Sequence, residues 1–209
     1  MRTSGEDVGS EVRGLAWAAV GGAVLYVGID VALRGLRPSL SLLHNAESDY
    51  GNGPWSWLMD LNFLLRGAFS ALVAATFWRG LRRRSLARVG AVFVAAWALC
   101  SAVLAFFRDD LPGAPVTVHG VIHLLAAFLG FTACLIGTLL LTIDFRAVAR
   151  LRPAAPLLWV VWALAALGFV ALGSAGLHPH SLGGLYERVF IGAEILWLAL
   201  AAVAVARRA

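Results

Sequence analysis

Val118-His-Gly-Val-Ile-His123-Leu-Leu-Ala-Ala-Phe-Leu-Gly-Phe-Thr-Ala-Cys134-Leu-Ile-Gly-Thr-Leu-Leu-Leu-Thr-Ile143 decides the fold. It holds no Asp, Glu, Lys or Arg, and it exceeds the ~20 residues a helix needs to cross a ~30 Å hydrocarbon core. Five more apolar runs flank it, at about Gly14–Leu33, Trp55–Trp78, Val89–Phe107, Pro156–Gly173 and Leu185–Ala206. The composition agrees: 209 residues, 60% hydrophobic, mean hydropathy +0.81, against roughly 45–50% apolar in soluble domains. We expect an all-α polytopic membrane protein, one six-helix bundle spanning residues 1–209. Helices satisfy their own backbone groups, as hydrocarbon demands. Met1 to Arg13 is polar. The run after it is too long for a signal-peptide core and has no small-residue cleavage site, so it reads as a retained first helix.

Every basic residue is Arg, and the formal net charge is +5. The arginines flank apolar spans, so they read as topology signals rather than as a nucleic-acid surface. One set of connections, with the termini, holds Arg2, Arg13, Arg79, Arg82, Arg83, Arg84, Arg88, Arg146, Arg150, Arg152, Arg207 and Arg208; the alternate set holds Arg34, Arg37, Arg108 and Arg188. Twelve against four puts both termini in the cytoplasm. The outer loops are then about Arg34–Pro54, Arg108–Thr117 and Ser174–Gly184, and the chain belongs in a cell membrane, the bacterial cytoplasmic membrane. Cys100 and Cys134 sit within apolar runs and read as packing residues.

All five histidines, His44, His119, His123, His178 and His180, fall in or one turn inside the three outer loops. Asp49, Asp109, Asp110 and Glu187 join them there. The first loop is turn-forming over Ser48-Asp-Tyr-Gly-Asn-Gly-Pro54, and Trp55 and Trp57 suit an interfacial anchor.

These residues resemble a family. Ser48-Asp-Tyr-Gly51, then Trp55, Asn62-Phe63 and Gly67, are similar to the first signature of the bacterial membrane family catalogued as domain of unknown function 998. Phe107-Arg-Asp-Asp110 with His119-Gly-Val-Ile-His123 resembles its second, and Gly184-Leu-Tyr-Glu-Arg188 with Trp197 its third. The likeness runs from about Gly14 to Arg208. It implies six helices and an outer cluster of polar residues, without a known activity. The family has Phe-Pro-Thr-Asp where this chain has Phe107-Arg-Asp-Asp110, so either Asp109 or Asp110 takes the family's Asp position.

Several constellations carry chemistry. His119 and His123 are four apart and share a helical face; with Asp109 or Asp110, and His44 nearby, they form the kind of set that holds a catalytic Zn²⁺. The plainer account is a hydrogen-bonded interfacial pair. His178-Pro-His180 is a weaker candidate of the same kind. Ser41, His44, an Asp and the His119–His123 pair also faintly resemble the ingredients of membrane hydrolases that include alkaline ceramidases. Asp60, Asn62 and Arg66 lie in the second helix. Arg66, about 16 Å down from Trp55 at 1.5 Å per residue, reaches the depth of Glu194, which is its natural counter-ion. A structural pair competes there with a charged path. Glu187 and Arg188 stand at the mouth of the sixth helix, and Asp30 near the headgroups. Gly21-Gly22, Gly67, Gly130 and Gly137 are expected to let helices approach closely.

The leading reading is an outward polar cavity that binds a membrane lipid or small polar ligand, held by His44, Asp60, Asn62, Arg66, Arg188 and Glu194. Its enzymatic form is a metal-assisted lipid hydrolase, with Zn²⁺ on His119, His123 and Asp109 or Asp110, and with Asp49 or Glu187 as the catalytic base. The alternative is a transporter, sensor or scaffold that uses Arg66 and Glu194.

Overall fold

The computed structural model describes residues 4–81, 83–111, 113–176 and 180–207. Among these it contains helices and no strand: α1 (Ser4–Leu36), α2 (Ser56–Gly80), α3 (Ser85–Leu104), α4 (Val118–Ala147), α5 (Ala155–Ala175) and α6 (Gly183–Ala206), with short 3₁₀ turns at Glu47–Gly51 and Arg152–Ala154. All six helices are long and apolar enough to cross a membrane. The chain is therefore a multi-pass helical membrane protein.

The boundaries differ from the hydropathy reading where polar residues continue a helix. α1 begins at Ser4 rather than Gly14, because a helix needs its internal hydrogen bonds and not apolar side chains. α4 continues to Ala147, so Asp144 lies inside it and pairs with Arg84 at 2.6 Å. α3 stops at Leu104, short of Phe107. That leaves the Phe107 carbonyl outside the helical ladder and free for a side chain.

Each helix packs on its neighbours in sequence, and α6 closes the ring against α1. The seam between α4 and α5 is the sparse one; α3–α4, α2–α3 and α1–α2 are dense. Glycines explain part of that density. A Cβ at Gly67 would stand 2.8 Å from the Ala98 carbonyl oxygen, and one at Gly137 2.9 Å from that of Gly90. Gly22 and Gly130 are equally tight, against Phe69 and Cys100. Gly21 has nothing within 4 Å, so its expected packing role does not hold: it lies on the exposed side of α1.

The α1–α2, α3–α4 and α5–α6 connections meet on one face, called here the loop face; the other connections lie with the two chain ends. In the half nearer the termini, aromatic rings fill the centre of the bundle. Phe77, Phe145 and Trp197 pack with ring centroids 5.9–6.4 Å apart and are fully buried.

Candidate functional site

The first loop does not float over the bundle. Its 3₁₀ turn is sunk into the mouth, and Glu47, Ser48, Asp49, Tyr50 and Gly51 are all buried. Arg37 Nη1 donates to the carbonyls of Asn52 (2.6 Å) and Pro54 (3.0 Å), which shapes the return. Arg188 Nη1 donates to Asn45 O (2.5 Å), Leu42 O (3.1 Å) and Gly184 O (3.0 Å), pinning the loop to α6. Leu185 N adds a bond to Leu43 O. No side chain fits at Gly184, because the Asn45 backbone occupies that place.

Beneath this plug lies a cavity of about 620 Å³, within the range of small-molecule sites. Its polar end is formed by His44, Glu47, Asp49, Asp109, His123 and Glu187, with Ser48 and Asp110 beside them. Its apolar end is formed by α4 and α5, at Leu124, Ala127, Phe128, Phe131, Phe169 and Val170. Phe128 and Val170 are more than half exposed on the bundle's flank. The cavity therefore reaches the side of the bundle through the sparse α4–α5 seam.

The carboxylates at the polar end have partners. Tyr26 Oη donates to Glu47, Asn45 Nδ2 to Asp49 (2.7 Å), Ser48 Oγ to Asp109 (2.8 Å), and Glu47 N to Glu187 Oε2 (2.8 Å). Burial raises the Asp49 carboxyl above its ordinary range, against the Asn45 bond that lowers it and with the Asp109 charge adding to the rise. Asp110 goes the other way. It accepts from Thr117 N and Oγ1, both at 2.8 Å, and these bonds hold it below the usual range. Thr117 in turn caps α4 through Gly120 N.

Arg66 is the floor of the polar end. It is 1% exposed. Its Nε donates to Ser101 Oγ at 3.1 Å, and its guanidinium lies 4.6 Å from the Trp97 ring and 5.1 Å from the Phe63 ring, within cation–π reach. The expected Arg66–Glu194 pair does not form: neither residue appears in an ion pair with the other. Arg66 turns from α2 towards α3, whereas Glu194 turns from α6 towards α4, where it accepts from Cys134 Sγ (3.3 Å) and Thr138 Oγ1 (3.4 Å). Glu194 is outside the cavity wall.

The expected zinc set does not assemble either. Among the described residues no three His, Cys, Asp or Glu side chains stand close enough to hold a metal. His123 Nδ1 donates to Phe107 O at 2.6 Å. His119 is exposed and lies against the Phe107 ring, centroids 5.3 Å apart. Asp109 and Asp110 are taken by Ser48 and Thr117. His44 Nδ1 donates to Ser181 O at 2.7 Å. His178 lies outside the described residues, and His180 is exposed.

Other expected residues do not line the cavity. Asp60 pairs with Arg108 at 3.9 Å and is partly exposed. Asn62 is fully buried, with neither side-chain polar atom partnered. Arg188 acts on the loop backbone, as above. Asp30, near the loop-face end of α1, is buried and paired with Arg34.

A family model described as protein of unknown function (DUF998) matches residues 20–204. The chain belongs to this family. No curated protein and no solved structure matches the chain. The match spans all three signatures, whose residues now have local roles. Ser48 and Asp49 are in the buried turn, Asp109, Asp110 and His123 are in the cavity wall, and Arg188 is the clamp. Sequence reasoning missed Glu47, Tyr26, Ser101 and Trp97. Only Glu47 carried a signal, as a carboxylate directly before the Ser48-Asp-Tyr-Gly51 run.

Proposed function

We propose that this protein binds a membrane-dissolved amphiphile, a lipid or lipid-like molecule, in the cavity beneath its first loop. One observation carries the reading. The same cavity joins a polar end of imidazole, guanidinium and carboxylate groups to an apolar end that opens sideways between α4 and α5. A water-soluble ligand has no use for a flank opening lined by Phe128 and Val170. An amphiphile uses both ends at once, head towards Arg66 and His123 and tail towards the seam. Asp49 and Glu187, which face the same space, are the groups we assign as base in a hydrolytic form of this function. The arginine bias supports a cavity open towards the outer leaflet of the cell membrane. A through-path is disfavoured by the fully buried Phe77, Phe145 and Trp197 in the half below.

The test narrows the seam. Ala127→Trp fills the cavity wall on α4, and Ala163→Trp places the same bulk on an exposed position of α5 outside that wall. Protein purified in detergent and extracted into organic solvent should release a bound amphiphile from wild type and Ala163→Trp, and much less from Ala127→Trp. Equal lipid content in all three would sink the proposal.

A further inference from the structure

We infer that the amphiphile carries an ionised acid head, a carboxylate or phosphate, and that Arg66 is the group that binds it. This rests on the amphiphile reading above. Among the described residues, several buried polar atoms have no hydrogen-bond partner, but of the residues that line the cavity only Arg66 contributes one, its Nη2. The five buried or half-buried carboxylates of the wall, Glu47, Asp49, Asp109, Asp110 and Glu187, each already accept a bond. His123 has spent Nδ1 on Phe107. The cavity thus offers a ligand one unmet buried donor, and that donor is cationic.

The surroundings of Arg66 sharpen this. Two aromatic rings and one hydroxyl leave the guanidinium without an anion within ion-pair distance. A charge at such depth is unfavourable unless paired. An acid head would supply the missing partner and use the fork geometry of a guanidinium. The polar end also says how the acid arrives. An anion approaching from the loop face must pass Glu47, Asp49, Asp109 and Glu187. One approaching through the α4–α5 seam meets only apolar side chains. Selection is therefore for acids that bring an acyl tail, not for soluble anions.

The full chain in phosphatidylcholine nanodiscs, labelled with a diazirine-bearing fatty acid at alkaline pH, tests this by competition. Oleate should compete about tenfold better than oleyl alcohol, since a hydrogen bond to a charged group is worth at least that factor. Inorganic phosphate should not compete. Lysophosphatidate measured beside oleate tells which acid head is preferred. Arg66→Gln should erase the difference between oleate and oleyl alcohol while labelling persists; should that variant not fold, the selectivity of the wild type decides alone. Equal competition by acid and alcohol, with both blocked in Ala127→Trp, would overturn the acid head and leave the amphiphile reading standing. Labelling that Ala127→Trp does not reduce would overturn both. Competition by inorganic phosphate at the level of oleate would overturn the tail requirement and with it this inference.

Discussion

Asp49 is 2% exposed, and its one described side-chain donor is Asn45. Its carboxyl sits above the ordinary range, chiefly because burial penalises the charge. The unfolded chain ionises at the ordinary value, so it releases the proton first as pH rises. Folding then loses stability from that value upward, until Asp49 also ionises in the folded state. Asp49→Asn keeps the acceptor for Asn45 and removes the charge that faces Asp109. Thermal unfolding of wild type and Asp49→Asn across pH should therefore coincide in acid. Above the ordinary carboxylate range the variant should unfold at higher temperature, with the gap growing to a plateau. A variant that is less stable at neutral pH would mean that the charge itself is held by groups other than Asn45. Asp110 has the opposite sign: its stabilising bonds from Thr117 are lost as pH falls through its lowered pKa.

Between helices, the argument turns on which glycines touch something. On α4, a Cβ at Gly137 would meet the Gly90 carbonyl at 2.9 Å, Phe93 Cβ at 3.0 Å and Val94 at 3.1 Å. Gly28 on α1 meets nothing within 4 Å. Gly137→Val should force α3 and α4 apart and cost about 1–3 kcal/mol or more. Gly28→Ala should be neutral or add up to ~1 kcal/mol through helix propensity. Denaturation in mild detergent reads both; a tolerated Gly137→Val would mean the α3–α4 seam is looser than described. Gly21 and Gly137 look alike in the sequence, which shows where sequence reading stops. Hydropathy and length are properties of single runs, so six spans were legible from Val118–Ile143 outward. Which face of a span meets which neighbour depends on the ring order of the helices, and no single run encodes that. Arg66 and Glu194 failed as a pair for this reason: equal depth was readable, but rotation about the helix axis was not. The outer polar cluster was legible as a set of residues at the mouths of helices. Its division into cavity wall, loop clamp and helix cap was not, because it depends on the first loop folding inward.

For the molecule as a whole, the open question of physical consequence is which side of the membrane the loop face meets. The charge distribution gives an expectation on one principle: basic residues in short connections stay in the cytoplasm. The structure gathers part of that charge, since Arg79, Arg83, Arg84 and Arg150 line one recess at the termini face, while the loop face gathers carboxylates and imidazoles. We expect the termini face inside and the loop face outside. Val116, 81% exposed on the α3–α4 connection, and Arg83, exposed on the α2–α3 connection, are suitable probes. Cys100 and Cys134 lie within α3 and α4, and wild type serves as the blank. A membrane-impermeant maleimide added to intact cells should label Val116→Cys and spare Arg83→Cys until the membrane is opened. The reverse pattern would move the cavity mouth to the cytoplasm. The amphiphile would then come from the inner leaflet, since the α4–α5 opening lies in the half of the bundle nearer the loop face. Topology thus decides which leaflet supplies the ligand, although the chemistry that holds it stays the same.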